Sequence, residues 1–482
     1  MRKEIIILVA RQFWTTAFRS RAIYPLLLIV VMLLGFSGVT GWENYKEQNE
    51  IRQHYQQKAR ESWESNPDKH PHRMAHFGTF AFRLKYPLSM FDGGIENFTG
   101  NAVFLEAHKQ NMVNFSEASL STGLLRFGEL TLAMVLQTVF PLLLFFLGFA
   151  SVSAERESGT LKIMLIQGAK FREILVGKTL GLWLVALVCL LPVLLMLGYF
   201  LVGQEAADPG DVWTRFAVLS LVYMLFFMVL SIITVVVSAT SHKSKNALIK
   251  LLAIWLVFVV LMPRTSQALG NYLFPSPSKV AFESAIEDEV VQKGDSHNPD
   301  DPYFKALKDS VLAAHQVDSI EDLPFNYGGF VMGVGERTSS AIYNNHQEAL
   351  LEKYGLQNTL TEWAALINPY VAIKQLSMAL SGTDFSTYLD FQEQAERYRY
   401  DLAQKMNELQ MEHISPKKAQ GSEGKEHVVE HEEWSLVPDF EQRFLSFTKV
   451  IENAWLSLLS LLGWGVIAVW GIFYMSNKVT AV

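Results

Sequence analysis

The chain alternates between long apolar stretches and long polar ones. Six stretches hold few or no charged residues, and they cover residues 22–42, 130–154, 179–204, 216–241, 246–263 and 453–477. A helix needs about 20 apolar residues to cross the hydrocarbon core of a bilayer. We therefore predict six membrane spans. The fifth carries one charge, Lys250, whose long side chain can reach the membrane surface from near the helix end.

The first apolar stretch could instead be the core of a signal peptide. Arg19 and Arg21 precede it, and the small residues Ser37, Gly38 and Gly41 lie near its end. However, its apolar run exceeds the roughly 7–15 residues of a signal core. We interpret it as the first span.

Lys and Arg are distributed unevenly between the connecting segments. The segments on one side hold fourteen Lys and Arg but four acidic residues; these segments are 1–21, 155–178, 242–250 and 478–482. An excess of positive charge in short loops marks the cytoplasmic side. We therefore expect both termini in the cytoplasm, and the long loops 43–128 and 265–448 on the opposite side.

The two long loops predict a second body outside the membrane. Residues 43–64 form a polar run compatible with a helix, and another helical pattern lies around 280–291. Between residues 384 and 413, apolar residues recur every three or four positions, which places them on one helix face. That face comprises Tyr388, Phe391, Ala395, Tyr398, Leu402, Met406 and Leu409, and the opposite, polar face comprises Glu393, Glu396, Arg397, Arg399 and Lys405. We interpret the apolar stripe as the core of the external domain.

These patterns predict a mainly α-helical membrane protein with six transmembrane helices and a largely helical extracytoplasmic domain built from two long loops. The expected parts are a cytoplasmic interfacial helix (1–21), span one (22–42), outer loop one (43–128), spans two to five (129–264), the extracytoplasmic domain (265–448) and span six (449–478).

Composition changes this picture little. Of 482 residues, 50% are hydrophobic and 18% are charged, and the net charge is −7. An average soluble chain has about 25% charged residues, and a nucleic-acid-binding chain is usually basic, so we expect no nucleic-acid partner. The single cysteine, Cys189, cannot form an internal disulfide.

Two groups of histidines are candidate metal ligands. His427 and His431 are the first and last residues of an H-x-x-E-H pattern that is typical of one class of zinc peptidases. On a helix, imidazoles four residues apart share a face, so a membrane zinc metallopeptidase remains one alternative. His70, His72 and His76 form a second, looser cluster, which we interpret as surface histidines. We predict neither a metal nor a cofactor.

The largest predicted cytoplasmic loop, 155–178, is the most informative segment. A charge triplet, Glu155-Arg156-Glu157, ends span two, and Gly159 permits a sharp turn. Ser158 or Thr160 is a candidate cap for a new helix over about 158–167. Its apolar stripe would be Leu161, Met164 and Leu165, Gly168 would end it, and Lys170 and Arg172 would lead into span three. The pattern predicts a short amphipathic helix at the membrane surface, which could equally serve only as an anchor.

This loop resembles the cytoplasmic connection of ABC-2-type transporter permeases, in which E-x-E-x-G-T-L precedes a basic segment and G-K. The matching positions are Glu155, Glu157, Gly159, Thr160, Leu161, Arg172, Gly177 and Lys178. A proline that often follows in that family is replaced here by Gly168-Ala169. Residues 2–21 also resemble the family's amphipathic N-terminal helix, with Phe13, Trp14 and Phe18 as anchors. Residues 368–407 resemble a subgroup with a large extracytoplasmic domain of unassigned function between its last two spans.

The resemblance implies a permease subunit of an ATP-driven exporter that is not itself an enzyme. It would work as a homodimer, or as a heterodimer with a related permease, in contact with membrane lipid, in a bacterial inner membrane. A separate ABC ATPase subunit would dock on the coupling helix, and Glu155, Arg156, Glu157, Gly159, Thr160, Leu161, Lys170 and Arg172 are the expected coupling residues. The other alternative is a membrane-anchored scaffold or assembly factor whose external domain binds a partner.

Overall fold

A computed structural model describes residues 1–19, 21, 23–116, 130–203, 208–294, 296, 298, 300–417 and 428–478. Within these ranges, six helices are long and apolar enough to cross a membrane. They are Ile23–Glu64, Leu132–Glu157, Phe171–Leu201, Pro209–Ala239, Ser244–Leu273 and Phe447–Ser476. Each contains most of one predicted stretch, so the prediction of a mainly helical membrane protein is confirmed.

The helices of the membrane part begin with α1 (Lys3–Arg19) and α2 (Ile23–Glu64). The second span is interrupted and comprises α4 (Leu132–Met134), a π-helical stretch (Val135–Val139), α5 (Phe140–Gly148) and α6 (Ser153–Glu157). After it come α7 (Thr160–Ile166), α8 (Phe171–Leu201) and α9 (Pro209–Ala239). The fifth span joins α10 (Ser244–Trp255) to α11 (Met262–Leu273) through a second π-helical stretch, Leu256–Leu261. The sixth is α18 (Phe447–Lys478).

Helix α2 is longer than any membrane span requires. Its 42 residues run without a break through the apolar stretch and through the polar run of residues 43–64. At 1.5 Å per residue, the polar part extends about 33 Å beyond the apolar stretch. Span one and the external domain therefore share one continuous helix.

The external part is mostly helical with one small sheet. Its helices are α3 (Pro71–Phe77), α12 (Lys279–Lys293), α13 (Pro302–His315), α14 (Tyr327–Ile367), α15 (Pro369–Ser381), α16 (Phe385–His413) and α17 (Glu432–Leu436). Strands β1 (Thr79–Phe82) and β2 (Ala102–Leu105) pair antiparallel, with Thr79 opposite Leu105. Short 3-10 turns occupy Pro87–Met90 and Ile320–Asp322.

The amphipathic segment predicted over 384–413 is α16. Asp384 caps its start by accepting a hydrogen bond from the backbone NH of Thr387 at 3.2 Å. Of the predicted apolar stripe, Phe391 and Met406 are fully buried. They lie in two separate clusters, one with the sheet and one with Trp63, Met74 and Trp434. The prediction that the stripe forms the core of the external domain agrees with this packing.

One residue of the predicted polar face is fully buried. Arg399 has a side chain only 2% accessible to solvent, because α14 covers that face of α16 and supplies Glu336 as a partner. Its guanidinium Nη1 lies 2.7 Å from Glu336 Oε1. Periodicity alone cannot reveal a buried ion pair, since both partners look like surface residues in the sequence.

Part of the predicted outer loops lies among the spans. The side chain of Asn368, fully buried at the start of α15, donates from Nδ2 to the carbonyl of Phe258 near the middle of the fifth span, at 2.8 Å. Ser377 on α15 hydrogen-bonds the hydroxyl of Tyr223 at 3.0 Å and also donates to the carboxylate of Asp92. Tyr223 is fourteen residues from the start of α9, which is about 21 Å along the helix. Helix α15 and the turn before Asp92 therefore pack deep against the membrane helices.

Candidate functional site

The candidate site is the hairpin formed by α6 and α7. Gly159 joins the two helices with a left-handed backbone (φ 76°), and Gly168 leaves α7 in the same region (φ 93°). Residues with a side chain rarely adopt this backbone conformation, so glycine suits both turns. The predicted helix over 158–167 is confirmed as Thr160–Ile166, with the expected turn at each end.

The predicted side-chain cap of α7 is wrong. Gly159 itself occupies the cap position and no side chain caps the helix. Instead, the Ser158 hydroxyl donates to the carbonyl of Glu155 at 3.3 Å and shares a 2.9 Å hydrogen bond with the Thr160 hydroxyl. The two hydroxyls stabilise the turn and leave the first backbone NH groups of α7 without a side-chain cap.

The two faces of α7 differ in their surroundings. Leu161 is 5% exposed and packs with Phe171 and Ile174 of α8 and with residues of α9 and α18, while Met164 and Leu165 pack partly against the same cluster. The opposite face presents Ile163 and Ile166, which are 55% and 76% exposed. Two accessible isoleucines on a seven-residue helix form an apolar surface that a partner could cover.

The members of the charge triplet contact different parts of the chain. Glu155 forms an ion pair with Lys178 of α8, whose side chain is 3% exposed, and it also accepts a 3.4 Å hydrogen bond from Gln12 of α1. Arg156 donates to the carbonyl of Ser241 at 2.7 Å. Glu157 accepts hydrogen bonds from the backbone NH and the hydroxyl of Ser244, the latter at 2.7 Å. The triplet thus connects the hairpin to α1, to α8, to the segment between α9 and α10, and to the start of α10.

The basic residues after α7 play different parts. Lys170 is exposed and precedes α8, where its backbone NH donates to Glu173 at 3.0 Å. The guanidinium of Arg172 lies 3.4 Å from the ring centroid of Phe473 on α18. The structure therefore leaves Lys170 accessible, whereas Arg172 joins α8 to the last span.

Helix α1 lies tightly along α8. Arg2 donates to the buried carboxylate of Glu173, at 2.8 Å from its backbone NH and 2.7 Å from Nη2. A β-carbon placed on Gly177 would lie 2.7 Å from Cβ of Val9, so only glycine permits this approach. Of the predicted anchors, Phe13 is 3% exposed, and Trp14 donates from Nε1 to the carbonyl of Gly181 at 2.7 Å. The amphipathic N-terminal helix is therefore fixed to the third span.

The sequence analysis did not single out the exposed apolar residues of α7, Ile163 and Ile166. Of the eight expected coupling residues, Glu155, Arg156 and Glu157 make contacts within the chain, and Lys170 is exposed. The available signal for the two isoleucines was their spacing of three residues on the polar side of α7. The partners of the triplet could not be inferred, because Lys178 and Ser244 are distant in sequence.

Residues 428–431 of the H-x-x-E-H pattern do not form the helix that a zinc site of this type requires. His427 lies outside the described residues. Val429 pairs with Lys69 as an isolated β-bridge, so the segment before His431 is extended. His431 is exposed, with Nδ1 at 3.3 Å from carboxylates of both Asp68 and Glu432.

A buried charge network lies in the external domain between α14, α16 and the loop after β2. Burial alone would raise the pKa of Glu336, but hydrogen bonds from His108 and the charge of Arg399 outweigh it and lower that pKa to about 2. Burial likewise opposes the charge of Arg399, yet Glu396 and Glu336 raise its pKa overall. Glu336 and Arg399 are therefore held in their charged forms by each other and by their neighbours. Glu396, the most exposed of the three, has a pKa raised by burial.

The six apolar helices and the hairpin define a multi-spanning membrane protein with a short amphipathic helix between its second and third spans. Residues 104–277 match the sequence profile of the ABC-2 family transporter protein, and residues 279–443 match a domain of unknown function (DUF3526). No curated protein matches the chain. These two matches fit a membrane permease of the ABC-2 transporter family with an additional domain before its last span. Such a permease associates with an ABC ATPase and is not itself the catalytic subunit.

Proposed function

We propose that the chain is the permease subunit of an exporter and that α7 receives the work of a separately encoded ATPase. The observation that carries the proposal is the division of α7 into a buried face and an exposed apolar face. Leu161 packs on the ends of the spans, while Ile163 and Ile166 face solvent. A partner that covers the two isoleucines would push directly on the cluster that joins α8, α9 and α18.

The charge triplet has a transmitting role in this proposal. Because Glu155 is paired with Lys178 and Glu157 with Ser244, displacement of the hairpin moves the third and fifth spans together. Gly159 and Thr160 set the turn, and Leu161 couples α7 to the core. Lys170 is exposed for contact with the ATPase, and Arg172 holds α8 to α18.

The remaining features of the proposal concern assembly. Both termini and the hairpin lie in the cytoplasm, as the Lys and Arg distribution favours, in a bacterial inner membrane. Two permeases, identical or related, form the working unit. The fifth span supports this. Only 11% of its most apolar 18-residue stretch is buried within one chain, so the rest of that stretch is left to face lipid or a second subunit.

The test is co-purification of the ATPase with a tagged permease. We expect Ile163→Asp combined with Ile166→Asp to abolish recovery of the ATPase, because charged groups replace the apolar contact. The matched control is Leu436→Asp, which changes an apolar residue that is 72% exposed in the external part. Retention of the ATPase by the double variant would refute the assignment of α7 as the docking element.

A further inference from the structure

Three histidines from two distant parts of the sequence converge in the external domain. His72 and His76 lie one turn apart on α3, and His108 lies in the loop that follows β2. Their ring centroids are 4.7 Å (His72–His76), 5.2 Å (His76–His108) and 5.5 Å (His72–His108) apart. One ligand nitrogen from each ring lies within 4.8 Å of the other two.

The local backbone holds the two helical histidines in position. Pro71 begins α3, and Nδ1 of His70 caps it by accepting a 3.2 Å hydrogen bond from the backbone NH of His72. Residues four apart on a helix project from one face. A hydrogen bond from the NH of Ala107 to the carbonyl of Ala75, at 3.1 Å, brings the loop of His108 against that face.

Glu336 fixes the third histidine from behind. Its Oε2 accepts a 2.8 Å hydrogen bond from the backbone NH of His108 and lies 3.2 Å from Nδ1 of the same residue. His108 adopts a left-handed backbone (φ 65°), which is uncommon for a residue other than glycine. Arg399 and Ser340 in turn hold Glu336. A carboxylate on the far nitrogen of an imidazole is the usual support of a metal-bound histidine.

We propose that His72, His76 and His108 bind one Zn²⁺ ion in the external domain. Imidazole nitrogen is a preferred zinc ligand, and three protein ligands leave the fourth position of a tetrahedron for water or for a group of a bound molecule. Because Nδ1 of His108 faces Glu336, its Nε2 is the ligand atom. Nitrogens around tetrahedral zinc lie roughly 3.3 Å apart, so rotation of the exposed His76 side chain closes the site. This inference is independent of how α7 contacts the ATPase.

The experiment is a Zn²⁺ titration of the purified full-length chain in detergent against a chromophoric chelator. We expect one ion per chain in the wild type and at least a hundredfold weaker binding for His76→Ala. Because His76 is exposed, this change should leave thermal unfolding of the zinc-free protein unaltered. His76→Cys should restore binding, since a thiolate is also a zinc ligand.

The matched control is His431→Ala, which removes the exposed histidine of the H-x-x-E-H pattern and should keep the full zinc content. Loss of zinc in that variant, with retention in His76→Ala, would move the metal to the other motif and overturn the proposal. Absence of stoichiometric binding by the wild type would also overturn it. X-ray absorption of the zinc-loaded wild type should show three imidazole nitrogens, and a sulfur-free, carboxylate-only shell would contradict the assignment.

Discussion

At the residue scale, the molecule depends on a few close approaches that tolerate no larger side chain. Gly177 is the clearest, because a β-carbon there would lie 2.7 Å from Cβ of Val9 and 2.8 Å from the carbonyl oxygen of Ile6. Both obstructing atoms belong to, or lie next to, the backbone of α1 and cannot rotate away. The contact between α1 and α8 therefore requires glycine.

We predict that Gly177→Ala destabilises the protein by about 1–3 kcal/mol, the usual cost of overpacking. The control is Gly355→Ala on α14, where a β-carbon would meet no atom within 4 Å. At that position alanine causes no clash and restricts the backbone of the unfolded chain. The substitution should therefore be neutral, or it should stabilise the protein by about 0.5–1 kcal/mol. Thermal unfolding in detergent distinguishes the two, and equal midpoints would show that α1 does not pack closely on α8.

Arg399 and Arg397 offer a second matched pair. Arg399→Met would leave Glu336 buried without its ionic partner, and we expect a loss of about 3–5 kcal/mol. Arg397→Met removes an ion pair with Glu393 whose side chains are 68% and 72% exposed, so the expected change is near zero. Chemical unfolding of the purified chain measures both, and a similar effect of the two substitutions would contradict the buried network.

At the element scale, the proposed coupling assigns binding of the ATPase and transmission of its motion to different residues of the hairpin. Ile163 and Ile166 form the accessible face of α7, whereas Glu157 connects the end of α6 to Ser244 at the start of α10. Binding and transmission should therefore fail independently of each other.

We expect Glu157→Ala to retain the ATPase in co-purification but to lower transport-linked ATP hydrolysis, because the fifth span no longer follows the hairpin. Ser158→Ala is the neighbouring control, since its hydroxyl bonds only within the turn to Glu155 and Thr160 in the described contacts. Unchanged hydrolysis in the Glu157 variant would show that this contact does not carry the motion.

Helical elements were readable from the sequence where one periodicity or one composition dominated. The apolar stretches indicated six spans, and the stripe from Tyr388 to Leu409 indicated α16. What could not be read were contacts made across long separations, such as Asp92 with Ser377, or His108 with His72 and His76. No local pattern encodes these pairs, because each depends on how several elements pack.

The interpretation of His72 and His76 as surface histidines shows the same limit. His76 is indeed exposed, but no pattern along the chain associates either residue with His108, about thirty positions later. The pairing of β1 with β2 brings the two segments together. The proximity of His108 to the other two histidines becomes visible only after that strand pairing is known.

At the scale of the whole molecule, the orientation in the membrane is the property on which the proposed coupling depends. We predict that a Lys162→Cys variant, in a background with Cys189→Ala, reacts with a membrane-impermeant thiol reagent only after the cells are opened. Lys353→Cys on α14 should react in intact cells. Both lysines are exposed, so accessibility within the fold does not confuse the comparison. Labelling of position 162 in intact cells would reverse the orientation and exclude α7 as the ATPase contact.

Because α2 is continuous, a tilt of span one also displaces the external domain. A rod of 42 residues is about 63 Å long, so tilting it by roughly 5° about its inner end swings its tip through about 5 Å. Trp63 near that tip is 2% exposed and donates from its indole to the carbonyl of Trp434 at 3.0 Å. A small tilt of span one would therefore move the external domain, because Trp63 ties the tip of α2 to that domain.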